Sequence, residues 1–132
     1  DSSTSRGLGD VYKRQVAGGA AAAREWMQRR TSAVIAHNDL MAMGFMIAVK
    51  SVGIEVPRDV SVVGTDNIFM SALFTPALTT VTTSRNTQGK LAFNQLLEQL
   101  RHQHRDTGHL TTSIAMKLVE RDSTAQVPSL HR

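Results

Sequence analysis

The run VSVVG, Val60 to Gly64, is β-branched and apolar on both of its faces. A strand with one wet face alternates apolar and polar side chains. A strand without that alternation suits a sheet covered on both sides, as parallel sheets flanked by helices are. The rest of the chain keeps to that plan. AAAAREWMQRR is a helix by propensity, with Trp26 and Met27 turned inward. Residues 33–36 read as a short apolar strand, and residues 39–52 as a helix stopped by Gly53 with Pro57 shortly after. Residues 78–83 form a Thr/Val-rich strand after Pro76. A helix over Arg85–Arg101 carries Phe93, Leu96, Leu97 and Leu100 at one-face spacing. RHQHRDTGHLTT is a polar loop, residues 114–119 are a last strand, and the chain frays after Ser123. Strands alternating with helices predict an α/β domain with a mostly parallel sheet flanked by helices.

Bulk properties narrow the class. The 132 residues leave room for one domain and one core. A hydrophobic fraction of 41% with 20% charged residues describes a globular protein rather than a disordered one. No apolar run approaches the ~20 residues that span a bilayer, and the first residues show no secretory signal. With no cysteine there is neither disulfide nor thiolate metal site, which suits the cytoplasm. The net charge of +4 is spread along the chain without a helix-turn-helix or aromatic-platform context, so it reads as surface charge. Any DNA-reading part would lie outside this chain. Residues 1–15, DSSTSRGLGDVYKRQ, are expected to be a loose or artefactual tail. GLGDVYKRQ resembles a translated sequencing adapter, in which case the native protein enters at about Val16. Residues 16–125 are the expected domain, and 126–132 a second tail.

In an open α/β sheet, ligands lie beyond the carboxyl ends of the strands. Polar residues follow an apolar strand at His37-Asn38-Asp39 and at Thr65-Asp66-Asn67, so both should open on the same edge. Asn38 and Asp39 can cap a helix, and Asp66-Asn67 can hold a turn. Together they also suit a small polar ligand such as a sugar, whose hydroxyls pair with carboxylates and amides. His102, His104 and His109 lie in a polar loop without fixed geometry and are expected to be solvated rather than to bind a metal. There is no nucleophile elbow, phosphate-cradling loop or acid/base carboxylate pair, so neither an enzyme nor a cofactor is expected. The helix DLMAMGFMIAVKSVG is apolar nearly all round and must be buried on more than one side. The sheet covers one side, and a partner subunit is the expected cover for another.

These residues match a known pattern. TSAVIAHNDLMAMGFMIAVKSVGIEVPRDVSVVGTDNIFMSALFTPALTTV strongly resembles the effector-binding domain of LacI/GalR-family transcriptional regulators. The carrying motifs are Asn38-Asp39 with Ala42 and Gly44, Gly53, Val56-Pro57 through Asp59 to Gly64, Asp66, and Pro76 with Leu78 to Val81; LVERDSTA resembles the family's closing strand. The resemblance implies part of a two-lobed sensor like the periplasmic sugar-binding proteins, without the helix-turn-helix. Its chain would cross to the other lobe after LTTV and return on the last strand. It also implies that Asn38 and Asp66 bond the effector, which leaves Asp39 more the cap and His37 an unexplained neighbour, that Thr83 and Arg85 can face it, and that Met43 and Phe74 contact a second subunit. The implied partners are a sugar-like effector, a second copy of the chain, and operator DNA through a domain outside this chain. Thr65 stands where the family has an aromatic, and Thr82-Thr83-Ser84-Arg85 departs from the common segment; both bear on which effector is bound. A periplasmic sugar-binding protein of a transport system is the alternative.

Overall fold

A computed structural model of the chain describes residues 15–101 and 111–126. The expected tails, but for Gln15 and Gln126, and the histidine-bearing loop over 102–110 lie outside the described residues. The elements run α1 (Val16–Arg29), β1 (Ala33–Ile35), α2 (Asp39–Lys50), β2 (Ser61–Thr65), α3 (Phe69–Leu73), β3 (Thr79–Thr82), α4 (Arg85–Arg101) and β4 (Lys117–Val119). The sheet order is β1-β2-β3-β4, and β1 with β2 and β2 with β3 pair in parallel. This is the α/β architecture that the alternation of strands and helices predicts. The short α3 was not expected; nothing in FMSAL distinguishes one helical turn from a loop.

The chain divides into two compact units, one ending at Val81 and resuming at Leu118, the other spanning Thr82–Lys117. In the first unit the core gathers Phe45, Met46 and Val49 of α2 with Val60, Val62 and Leu78, and Ala23 of α1. Trp26 meets Phe45 edge to face at 5.5 Å between ring centroids. Two glycines allow α1 and α2 to touch through their backbones. A Cβ on Gly19 would stand 1.9 Å from the Met41 carbonyl oxygen, and one on Gly44 1.9 Å from that of Val16. One cover over the apolar helix α2 is therefore this chain's own α1, while Leu40 and Ile47 on the same helix stay exposed. The sequence could not show this, because the close approach depends on two residues being absent of side chain at one crossing point.

Strand β2 also differs from expectation. Val62 and Gly64 are buried, but Ser61, Val63 and Thr65 are only half-buried, so one face packs under α2 and the other is open in this chain. Ile35 of the neighbouring β1 is 80% exposed on that open side. The turn ahead of β2 is closed by Asp59, whose carboxylate accepts from the Glu55 amide at 2.8 Å while its own amide donates to the Glu55 carbonyl. Hydrogen bonds from Arg58 and from the Glu55 amide hold the Asp59 carboxyl below its ordinary pKa. Gly53, at φ +80, supplies the left-handed residue that ends the segment after α2.

The closing segment completes the first unit. Ser123 is fully buried, and its hydroxyl donates to the Val62 carbonyl at 2.6 Å and accepts from the Thr79 amide at 2.8 Å. It thereby fills the gap between β2 and β3 ahead of their paired residues. In the second unit α4 has no buried residue, and Phe93, Leu96 and Leu100 are exposed along one face.

Candidate functional site

Parallel pairing sets β1 and β2 side by side with Ile35 opposite Val63. Asn38 lies as far beyond Ile35 as Asp66 lies beyond Val63, so both residues leave the sheet at adjacent carboxyl ends. The strand ends are tied beyond the register: the Ala36 amide donates to the Val63 carbonyl at 2.8 Å, and the Thr65 hydroxyl to the Ala36 carbonyl at 3.4 Å.

At the end of β1 the cap of α2 is Asn38, whose Oδ1 accepts from the Met41 amide at 2.9 Å. Capping of this kind stabilises a helix start by about 1 kcal/mol. Asp39, expected more as the cap, does something else. It is fully buried, and its carboxylate accepts from the Ile68 amide at 2.9 Å, from the Ser71 hydroxyl, and from the Thr80 hydroxyl at 2.6 Å. The side chain points away from the helix end into the unit because Gly64 leaves room for it: a Cβ there would lie 2.2 Å from Asp39 Oδ1. His37 is exposed.

At the end of β2, Asp66 is exposed and its backbone is left-handed at φ +107; Asn67 follows at φ +49. Consecutive non-glycine residues in this region are uncommon, and each costs on the order of 1–3 kcal/mol unless the surroundings hold it. The Asp66 amide donates to the Val81 carbonyl at 2.9 Å and the Asn67 amide to Thr80 Oγ1 at 3.3 Å. Arg121, half-buried in the closing segment, donates to Asn67 Oδ1 at 2.8 Å and to the Leu78 carbonyl at 2.7 Å. Asp39 was expected as a helix cap, and no role was expected for the Thr80 or Arg121 side chain. The Asp39 carboxylate and the Arg121 guanidinium find partners between 29 and 54 positions away, and the Thr80 hydroxyl bonds to partners 41 and 13 positions away, spacings that no local pattern carries.

Thr83 and Arg85 belong to the other unit. There the Thr83 hydroxyl accepts from Gln88 Nε2 at 2.9 Å, and Arg85 opens α4 with its side chain exposed. Met43, expected at a subunit contact, is only 5% exposed and packs in this chain's core. On α2 the exposed apolar side chains are instead Leu40, at 40%, and Ile47, at 53%. Ile47 separates two grooves. One, of about 650 Å³, is bounded by Val16 and Ala20 of α1 and Leu40 of α2; the other, of about 780 Å³, by Met46, Val56 and Phe74. Neither groove includes Asn38 or Asp66. Among the described residues no helix is long and apolar enough to cross a membrane.

Residues 5–124 match the periplasmic binding protein-like domain family. An HTH-type transcriptional repressor PurR from Edwardsiella ictaluri is 40% identical over 101 residues, and one from Proteus mirabilis is 41% identical. Those residues are 76% of this chain and 29% of either relative, so the chain spans well under half the length of the curated relatives it matches. Among solved structures, the LacI family transcriptional regulator from Enterococcus faecalis with bound ribose superposes with a TM-score of 0.77 at 29% identity, covering 86% of this chain and 42% of that one. The Escherichia coli transcriptional repressor ascG superposes with a TM-score of 0.71 at 32% identity, covering 84% and 40%.

Proposed function

Because the chain belongs to the periplasmic binding protein-like domain family, in the form carried by LacI/GalR-type regulators, we propose that it serves as the effector-sensing part of a transcriptional repressor whose effector is a sugar or sugar derivative. The observation that carries this reading is the pairing of an amide and a carboxylate, Asn38 and Asp66, at matching positions beyond two adjacent parallel strands. Thr83 and Arg85, which belong to the second unit, are two further polar residues able to pair with sugar hydroxyls. Hydroxyl-rich ligands are recognised by such groups, since a carboxylate only accepts and an amide both donates and accepts. The ribose held by similar regulators agrees with that chemistry.

The effector acts by favouring one arrangement of the sensor over another. It can shift that equilibrium only by its difference in affinity for the two, and operator binding then changes by the same coupling. Operator DNA is read by a helix-turn-helix outside the residues of this chain, and the protein works in the cytoplasm, where its DNA is. The relatives are transcriptional repressors, which places a transport protein behind a regulator as a reading and offers no support for an enzyme. Isothermal titration of the complete protein with D-ribose and a panel of other pentoses and hexoses tests the proposal. Saturable binding of at least one sugar is expected, with weaker operator binding or stronger operator binding in its presence. No binding across the panel would overturn the sugar assignment.

The regulator acts as a homodimer. Leu40 and Ile47 on α2, with Phe69, Met70 and Leu73 on α3, present apolar side chains to solvent, and Phe74 lines the adjoining groove. Met43 supports such a contact from beneath rather than forming it. Sedimentation of the complete protein should show a dimer that Ile47→Glu converts to monomer, since a carboxylate in a desolvated contact costs several kcal/mol. An unchanged dimer would place the interface elsewhere.

A further inference from the structure

We propose that the buried Asp39 carboxylate and the Thr80 hydroxyl form a relay that sets the position of Asp66, so that Asp39 and Thr80 are positioning residues for effector binding. The inference rests on the reading of Asn38 and Asp66 as ligand residues and adds what holds them in relation to each other.

Three successive amides at the end of β2 are anchored to three different places. That of Asp66 donates to the Val81 carbonyl, that of Asn67 to Thr80 Oγ1, and that of Ile68 to Asp39 Oδ2. Thr80 Oγ1 in turn donates to Asp39 Oδ1 at 2.6 Å. A carboxylate oxygen offers only lone pairs, so the Thr80 proton is committed to Asp39 and the hydroxyl oxygen faces the Asn67 amide as an acceptor. Asp39 thus reaches both residues that follow Asp66, one directly and one through Thr80. Both Asp39 and Thr80 are fully buried, where an unmade hydrogen bond is costly and a made one is firm. This is the restraint that the left-handed backbone at Asp66 and Asn67 requires. Asp39 is also bonded through its peptide to Asn38. The same carboxylate therefore links the cap at the end of β1 to the loop at the end of β2. Gly64 is part of the device, because any side chain there would displace Asp39.

Amide hydrogen exchange followed by NMR on the complete protein tests the relay without a ligand. In the unaltered protein the Asn67 and Ile68 amides should be protected, though they lie beyond the strand. Thr80→Val keeps the shape and removes the hydroxyl; it should speed exchange at Asn67 by about tenfold or more while Phe45 and Val63 change little. Thr80→Ser, which restores the hydroxyl, should return Asn67 close to its native rate. The relay is overturned if Asn67 exchanges equally fast in the native and Thr80→Val proteins, or if Phe45 loosens as much as Asn67. Should Thr80→Val not fold, unprotected Asn67 and Ile68 amides in the native protein overturn it, and protected ones with native rates in Thr80→Ser support it. D-ribose serves as the ligand probe. Where the native protein binds it, Thr80→Val should weaken binding by about tenfold, and an unchanged affinity alongside faster Asn67 exchange would overturn the positioning role. A native protein that binds no sugar counts against the proposed effector class, while the exchange experiment still decides the relay.

Discussion

Replacing Asp66 by asparagine is expected to weaken sugar binding by the complete protein by roughly tenfold to a hundredfold, the equivalent of losing one hydrogen bond to a charged group. Asparagine is the informative replacement because it tolerates a left-handed backbone better than most residues and has nearly the same size. At φ +107 an alanine would add backbone strain to the lost contact and confuse the two causes. The asparagine amide can still donate to a sugar oxygen, but one carboxylate oxygen that accepted from a hydroxyl becomes a donor facing a donor. Because Asp66 is exposed and its amide is held by the Val81 carbonyl, the fold should be little affected. Calorimetric titration with the sugar that the native protein binds measures the loss. Affinity within a factor of two of native would remove Asp66 from the site, since a carboxylate bonded to ligand cannot be neutralised so cheaply.

The largest effect on stability is expected at Asp39. Asp39→Ala removes the acceptor that, among the described residues, takes the Ser71 and Thr80 protons and the Ile68 amide. Each buried donor left without a partner costs ~1–3 kcal/mol, and because the two hydroxyls can rotate in search of others, the sum should be about 3–5 kcal/mol. A further fraction of a kcal/mol goes with the negative charge lost from the first turn of α2. Against a total stability of ~5–15 kcal/mol that is a large share. Urea unfolding should show a much lower midpoint with an unchanged slope, because the folded state still buries the same surface. A shift below about 1 kcal/mol would mean that the three donors find other acceptors and that the carboxylate is not a hub.

Much of the fold was legible in the chain because it is written in local chemistry. The order of elements follows from apolar periodicity, and the end of α2 from Gly53 with Pro57 shortly after. The two strand-end trios could be placed on one edge before any coordinates, since parallel strands joined by helices leave their carboxyl ends together. The resemblance to the regulator family then picked Asn38 and Asp66 out of those trios as the expected ligand residues. The cap at Asn38 was legible from its residue type, but the left-handed backbone at Asp66 and the inward turn of Asp39 were not. At α2 composition showed that more than one cover is needed but not what supplies it: the close crossing with α1 at Gly19 and Gly44 provides one that no local pattern revealed.

By itself, then, the sequence determined which segments are strands and helices, that the sheet is parallel, and where polar groups collect. All of these depend on residues within a few positions of one another. Only the tertiary structure decided which carboxylate is buried and which is offered to solvent. Asp39 and Asp66 follow strand ends of the same kind, but Asp39 meets the Ile68 amide and the Ser71 and Thr80 hydroxyls, while Asp66 meets none of them. That difference is made by contacts between residues far apart in the chain, in a space that Gly64 keeps open. A carboxylate goes inside only where donors converge on it, and convergence is a property of the packed fold.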